Sequence, residues 1–388
     1  MKSKKVLTWI LGALIACCVI NTYADDTVAK KGKTPVIYIH DAAIDEFIVP
    51  MLLNTMDNVD LKGIIIVDGD AWGFIAAEVQ WKLNAIIGLD VPVGISSAEG
   101  IHPFPSAYRN DCVAMNQLPI LNPTDVKSKW TVWDGQKLLE NVLKNSSNPV
   151  TILLCCGATP VATVLKDHPE YESKIKEIIW MGGAIDKTGG NVVDMKDQSI
   201  RYYCEWNFYW DPTLKENPIF KTVGAQWLME NTSCPIVLFP LDITDKFPLH
   251  FNPGTKIVNK DAVKFTDALE KNAKFSLYCD VAYNAYDISL QRAYAGKDSF
   301  YCLWDTTTAV YLAHPEFFEL EDYRISVTTD NSDPDGLSNP NPDGHITVGQ
   351  DEVRPIKAAM KLKDGVKPSQ VYEYILNQYL TSGKVNSL

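Results

Sequence analysis

The sequence predicts an α/β protein built on an open, mostly parallel sheet flanked by helices. Three observations carry that expectation. Short apolar runs rich in β-branched residues recur at 36–39, 61–67, 91–95, 149–155, 175–181 and 234–241, the pattern of strands buried on both faces. Segments with helical spacing separate them, which implies right-handed crossovers with helices above and below the sheet. The runs stop abruptly, and their ends set Asp41, Asp70, Cys156, Met181 and Asp242 on one rim, the edge where open α/β sheets bind ligands.

The first strand ends at His40-Asp41, Ala42-Ala43 permit a tight turn, and Asp45-Glu46 open a helix over 47–56. Residues 71–87 place Ile75, Val79, Leu83 and Ile86 on one helical face. The third strand leads into a long stretch, 96–131, rich in Pro and polar residues and without periodicity. Loops of that length are commonly functional, and His102-Pro103-Phe104-Pro105 with Tyr108 and Arg109 argues for an ordered loop near a site. Helices are expected over 135–144 and over 160–166, the latter with Pro in its first turn. Beyond these, 260–290 reads as mostly helical, and 306–312 as a buried helix entered from Trp304-Asp305. The run 323–328 reads as an antiparallel edge strand, 332–344 as a loop and 368–380 as a closing amphipathic helix. No linker or internal repeat interrupts the chain, so a single large domain is expected over 25–388.

Apolar residues make up 46% of the 388, enough for a large core, and the net charge of −12 excludes nucleic acid as a partner. Lys2, Lys4 and Lys5 precede an apolar run at 6–20, which reads as an export signal over 1–24. Two cleavage readings stay open. Leu14-Ile15-Ala16-Cys17 resembles a lipobox that would leave a lipid anchor on Cys17, whereas Thr22-Tyr23-Ala24 resembles an ordinary signal-peptidase site. Either way the mature chain is expected to be exported: periplasmic, lipid-anchored in a bacterial envelope, or secreted. Of nine cysteines, Cys17 and Cys18 fall in the signal. The others show no metal-ligand spacing, and Cys155-Cys156 reads as a pair of buried free thiols.

Asp41, Asp45 and Glu46 crowd one strand-to-helix turn. Carboxylates so close stay ionised most easily around a cation. The same residues also suit an acidic first helical turn capped by Asp45.

The chain resembles the nucleoside hydrolases, and within them the purine-preferring (inosine-adenosine-guanosine) branch. The resemblance is carried by His40-Asp41-Ala42-Ala43-Ile44-Asp45-Glu46-Phe47, Asp68-Gly69-Asp70, His102-Pro103-Phe104-Pro105 and Leu118-Pro119-Ile120-Leu121-Asn122. It continues through Met181-Gly182-Gly183-Ala184, Gly190-Asn191, the run from Glu205-Trp206-Asn207 to Asp211-Pro212, and Trp304-Asp305. These stand in the family's order over nearly all of the chain beyond the signal.

The resemblance implies hydrolysis of the N-glycosidic bond of purine nucleosides with Ca2+ as cofactor. It assigns metal contacts to Asp41, Glu46, Asp305 and the backbone carbonyl of Cys156, with Asp41 also the general base. Asp45, Asn191, Glu205 and Asn207 would grip the ribose hydroxyls, with Met181 against the sugar. Trp304 would stack on the base, since broad-specificity members carry a proton-donating His there. Tyr108 would supply the facing ring and Asp70 the contact with the purine edge. A homo-oligomer, dimer or tetramer, is also implied. His40 and His102 are further acid candidates, although His40 at a strand end reads better as a structural, hydrogen-bonded histidine.

Three departures stand out. Ile39 replaces an Asp, Ala42-Ala43 replace a Gly-containing pair, and Glu46 replaces an Asp metal ligand, adding a methylene to its reach. They keep two alternatives in view: a non-catalytic exported protein that binds nucleosides or sugars, and a hydrolase of another ribosyl bond such as that of nicotinamide riboside.

Overall fold

The computed structural model describes residues 32–122, 133–185, 190–192, 203–294, 300–329, 343–350 and 352–383. The expected export signal with Cys17 lies outside these residues, as does most of the loop expected at 332–344.

The strands are β1 (Thr34–His40), β2 (Val59–Ile66), β3 (Val93–Ile95), β4 (Trp133–Asp134), β5 (Val150–Cys155), β6 (Ile175–Met181), β7 (Ile236–Phe239), β8 (Phe318–Val327), β9 (Ile346–Val348) and β10 (Arg354–Leu362). They form one sheet in the order β4-β3-β2-β1-β5-β6-β7-β10-β8-β9. Every pairing from β4 to β10 is parallel, and β8 runs antiparallel to both β10 and β9. The expected α/β class with a mostly parallel sheet is the one observed.

β1 shows why the apolar runs are continuous rather than alternating. Val36 and Tyr38 enter one core and Ile37 and Ile39 the other, so both faces are covered. The helices Val49–Asn54, Gly73–Ile87, Thr306–Ala313 and Pro368–Ser382 pack on the Tyr38 side. Gly135–Asn145, Thr159–Asp167 and Ala225–Asn231 pack on the Ile37 side. The register pairs His40 with Ile66 and with Cys155, and Met181 with Phe239, which brings the strand ends to one rim.

Several elements differ from expectation. The stretch after β3 contains two short helices, Ser106–Arg109 and Asp111–Asn116, before the described residues break off at 122. β8 is longer than 323–328 and is not the edge, because β9 covers it. β10 was not foreseen at all. It alternates buried Arg354, Ile356 and Ala358 with exposed Pro355 and Lys357, a period of two that its proline and lysines disguise. The seven cysteines among the described residues are all buried and unbridged.

Candidate active site

The turn after β1 is made by Ala42, whose φ of 72° puts a non-glycine residue in the left-handed region. Glu46 folds back to close it, its Oε2 accepting the Ala43 N–H at 2.5 Å. That contact takes up the extra methylene of Glu46. Asp45 does not cap its own helical turn with its side chain. Its Oδ2 instead accepts the backbone N–H groups of Asp305 at 2.9 Å and Thr306 at 3.2 Å, while its Oδ1 takes the Tyr301 hydroxyl at 3.0 Å. Asp45 thereby caps the helix Thr306–Ala313, and the side chain of Asp305, which stands at that helix's N-cap position, makes no cap bond.

The consequence is a buried oxygen without a partner. Asp305 Oδ1 and Asp41 Oδ2 both lack a hydrogen bond, although the two residues are only 5% and 4% exposed. Asp41 is braced by a side-chain contact with Glu46 and by the backbone of Asp70, and it presses on Gly69. Burial, reinforced by the charge on Glu205, pushes the Asp41 carboxyl up to about 8. Burial also raises Asp45 to about 6 and Glu205 to about 7. It pushes Glu46 and Asp305 well above the usual carboxylate range, with neighbouring carboxylates adding to the shift. Oxygens of Glu46 and Asp305 lie with the Cys155 sulfur within 4.8 Å of one another. Clustered, desolvated acids with unpartnered oxygens fit a divalent cation, whose charge removes the penalty of ionising them. Glu46 and Asp305, with the Cys155 sulfur beside them, are the side chains whose ligand atoms lie close enough to share one, and Asp41, expected among the ligands, is not in that group. The Cys156 carbonyl already accepts the Trp180 indole N–H at 2.9 Å, which leaves one lone pair for an ion.

On the β6 side, Glu205 accepts the N–H groups of Gly183 and Asn207, each at 2.9 Å, and so starts the short helix Trp206–Trp210. Its helix-cap role and its place among the acids coexist, since it raises the carboxyls of both Asp41 and Asp305. Asn207 donates to the Met181 carbonyl at 3.1 Å, with its amide 3.5 Å from the Met181 sulfur. Asn191 holds its backbone against Cys204 and leaves Oδ1 buried and unpartnered. The structure thus joins Glu205, Asn207 and Met181 directly.

Trp304 is half-buried, donates its indole N–H to Asp245 at 2.8 Å and stands edge-on to Tyr301 at 4.8 Å. Tyr108 packs edge-on against Trp206 at 6.2 Å. The two rings expected to face each other across a base therefore have different ring neighbours. His40 corrects another expectation. It is fully buried and structural, stacked on Tyr38, but neither ring nitrogen is hydrogen-bonded, and burial lowers it to about 3. His102 stacks on Tyr209 and pairs with Asp343 at 3.0 Å, an arrangement that anchors its loop.

Sequence reasoning missed Cys155, Tyr301 and Asp245. Strand parity was the available signal for Cys155: it shares β5's odd-numbered face with Leu153, opposite His40 and Tyr38 of β1. Arg109, placed only near the site, ion-pairs with Asp68 and lies over Trp72 at 3.9 Å, so it ties the loop to the turn after β2.

Comparison with known proteins supplies the context. A solved inosine-uridine preferring nucleoside hydrolase from Bacillus anthracis superposes with a TM-score of 0.69 at 23% identity, over 89% of this chain and 99% of the other. A purine-preferring ribonucleoside hydrolase from Gardnerella vaginalis gives 0.65 at 15% identity, over 90% and 99%. These likenesses show the same fold. In sequence, the pyrimidine-specific ribonucleoside hydrolase RihA of Escherichia coli is 32% identical over 114 residues, 29% of this chain and 30% of that relative. The matched part is thus less than a third of the relative's length. A family profile described as inosine-uridine preferring nucleoside hydrolase matches residues 36–365. With that span covering most of the chain, the protein belongs to the nucleoside hydrolase family, whose members hydrolyse the N-glycosidic bond of nucleosides.

Proposed function

We propose that the protein is a metal-dependent hydrolase of purine ribonucleosides that releases ribose and the free base. One observation carries the reading: Asp41 Oδ2 and Asp305 Oδ1 stay unpartnered inside a buried group of acids at the carboxyl ends of the strands. When bound, a divalent cation supplies the charge that acidifies a neighbouring water and grips the ribose diol. The carboxylates alone form a calcium-type, all-oxygen donor set.

Asp41 takes the proton of the attacking water. Burial holds the Asp41 carboxyl protonated up to about 8 without metal, and the charge of a bound cation would bring it into the ionised form that the task needs. Asn191 and Glu205 present oxygens to the sugar hydroxyls, Asn207 orients Met181 beneath the ring, and Asp45 holds Asp305 in register. This fixed set of acceptors positions the ribose for attack. Trp304 offers an indole face for the leaving base, steadied by Asp245. Purine preference rests on that indole, which has no proton to give and favours a large aromatic leaving group. The lysine-led apolar run at 6–20 supports export of the mature chain.

Ribose release from inosine, uridine and nicotinamide riboside, with and without chelator, tests the reading. Expected is inosine turnover that a chelator abolishes and a divalent cation restores. Metal-independent turnover, or a uridine preference, overturns it. Tight nucleoside binding with no ribose released would instead favour a non-catalytic binder.

A further inference from the structure

The donors in this cluster are not all oxygens. β1 and β5 pair His40 with Cys155 in parallel register, so both side chains leave the same face of the sheet beside Glu46 and Asp305. The Cys155 sulfur belongs to the group lying within 4.8 Å, together with one oxygen each of Glu46 and Asp305. His40 Nδ1 is 3.7 Å from Glu46 Oε2, and neither imidazole nitrogen has a hydrogen-bond partner although the ring is fully buried. Asp305 Oδ1 is likewise unpartnered and buried. A thiol and two carboxylates converge here, all buried, with the His40 imidazole next to Glu46; sulfur is a ligand type of zinc-class ions, whereas calcium takes oxygen alone.

We propose that Cys155 is a metal ligand, and that with Glu46 and Asp305, beside His40, it makes this site select a thiophilic divalent cation of the zinc class over calcium. The proposal rests on reading the acid cluster as the metal site of the hydrolase. Ligation by Cys155 releases its thiol proton to water and adds a negative charge that the ion balances. The Thr308 hydroxyl, 3.5 Å from the sulfur, helps to fix its direction.

The test uses the full chain stripped with a chelator, in wild-type form and as Cys155→Ser and Cys155→Ala, each checked for folding by circular dichroism. Cadmium, zinc and calcium are titrated in separately, and the readouts are the ultraviolet sulfur-to-cadmium charge-transfer band and the shift in melting temperature. In the wild type, cadmium should raise that band, and zinc should stabilise the fold at concentrations well below those calcium needs. Both variants should lose the band and about tenfold or more in zinc affinity, with calcium affinity little changed. Absence of the band in the wild type, or its persistence in Cys155→Ala, overturns the assignment. If calcium alone stabilises the protein and supports ribose release, the thiol proposal fails and the nucleosidase reading stands. If the band appears but no cation supports ribose release, the ligand assignment stands and the reading of function fails. If no divalent ion shifts the melting temperature, both are overturned.

Discussion

Asp45 Oδ2 accepts the backbone N–H of Asp305 at 2.9 Å, joining residues 260 positions apart. The bond locks the turn after β1 to the helix Thr306–Ala313, and the Asp305 carboxylate lies beside Glu46 and Cys155 instead of capping its own helix end. Asp45→Ala strands the Asp305 and Thr306 N–H groups, a loss of about 2–3 kcal/mol. Asp45→Asn keeps an acceptor oxygen and should lose about 1 kcal/mol. Asp45→Ala should lower ribose release about a hundredfold, because a displacement of about 1 Å at Asp305 is enough for that, and Asp45→Asn, which keeps the cap, should lower it less. Denaturant unfolding and steady-state kinetics check this. Equal stability of the two variants would mean that the cap contributes little.

Stability should depend on pH in an unusual direction once metal is removed. In the folded chain Asp41, Asp45 and Glu205 hold their protons up to about 8, 6 and 7, whereas unfolded carboxyls titrate near about 4. The folded state therefore binds more protons across that window. Its stability is greatest below about pH 4 as far as these groups are concerned, and it is lost as the pH rises through 6 to 8. Melting of the chelated protein should fall by about 5 °C or more between pH 5 and pH 8. Added divalent cation should flatten that slope. A flat profile without metal would contradict the buried, cation-seeking cluster.

The parts of the site legible in the sequence were those made by neighbours along the chain. His40 to Phe47 announces a strand, a turn and three acids in one stretch, and the fold places them as read, on a rim that parallel strands share. What was not legible depends on contacts between distant segments. Nothing local to Asp45 shows that it caps a helix starting at Thr306, and nothing near Trp304 shows that Asp245 accepts its indole N–H. Cys155 is the buried free thiol its apolar neighbours in sequence indicate, but only pairing with β1 reveals Glu46 and Asp305 beside it. β10 escaped for a different reason. Pro355, Lys357 and Lys361 are exposed, so proline and charge hide the alternation that marks a strand in an antiparallel pair.

Trp304 sits between Asp245, which accepts a hydrogen bond from its indole N–H, and Tyr301, whose hydroxyl donates to Asp45. Trp304→Phe should keep a stacking face, whereas Trp304→Ala removes it. Stacking of one base is worth about 1–3 kcal/mol, so Trp304→Ala should lower kcat/KM for inosine about tenfold to a hundredfold and for uridine by less. Kinetics with both nucleosides decide the matter. An equal loss on the two substrates would assign the ring a structural role through Tyr301 and Asp45.

Gly69 lies so close to Asp41 that an added Cβ would fall 2.4 Å from Asp41 Oδ2 and 2.7 Å from its Cβ. No side chain fits there unless Asp41 moves, and Asp41 is held on its other sides by Glu46 and the backbone of Asp70. Gly69→Ala should therefore act on the general base more than on the fold. Overpacking of this kind costs about 1–3 kcal/mol, while a shift of about 1 Å at Asp41 should lower kcat about a hundredfold. KM should change less, because Asn191 and Glu205, the residues proposed to contact the sugar, lie on other segments. Circular dichroism with steady-state kinetics measures both effects. A folded Gly69→Ala protein with normal kcat would show that Asp41 can move without loss, and would remove it from the role of base.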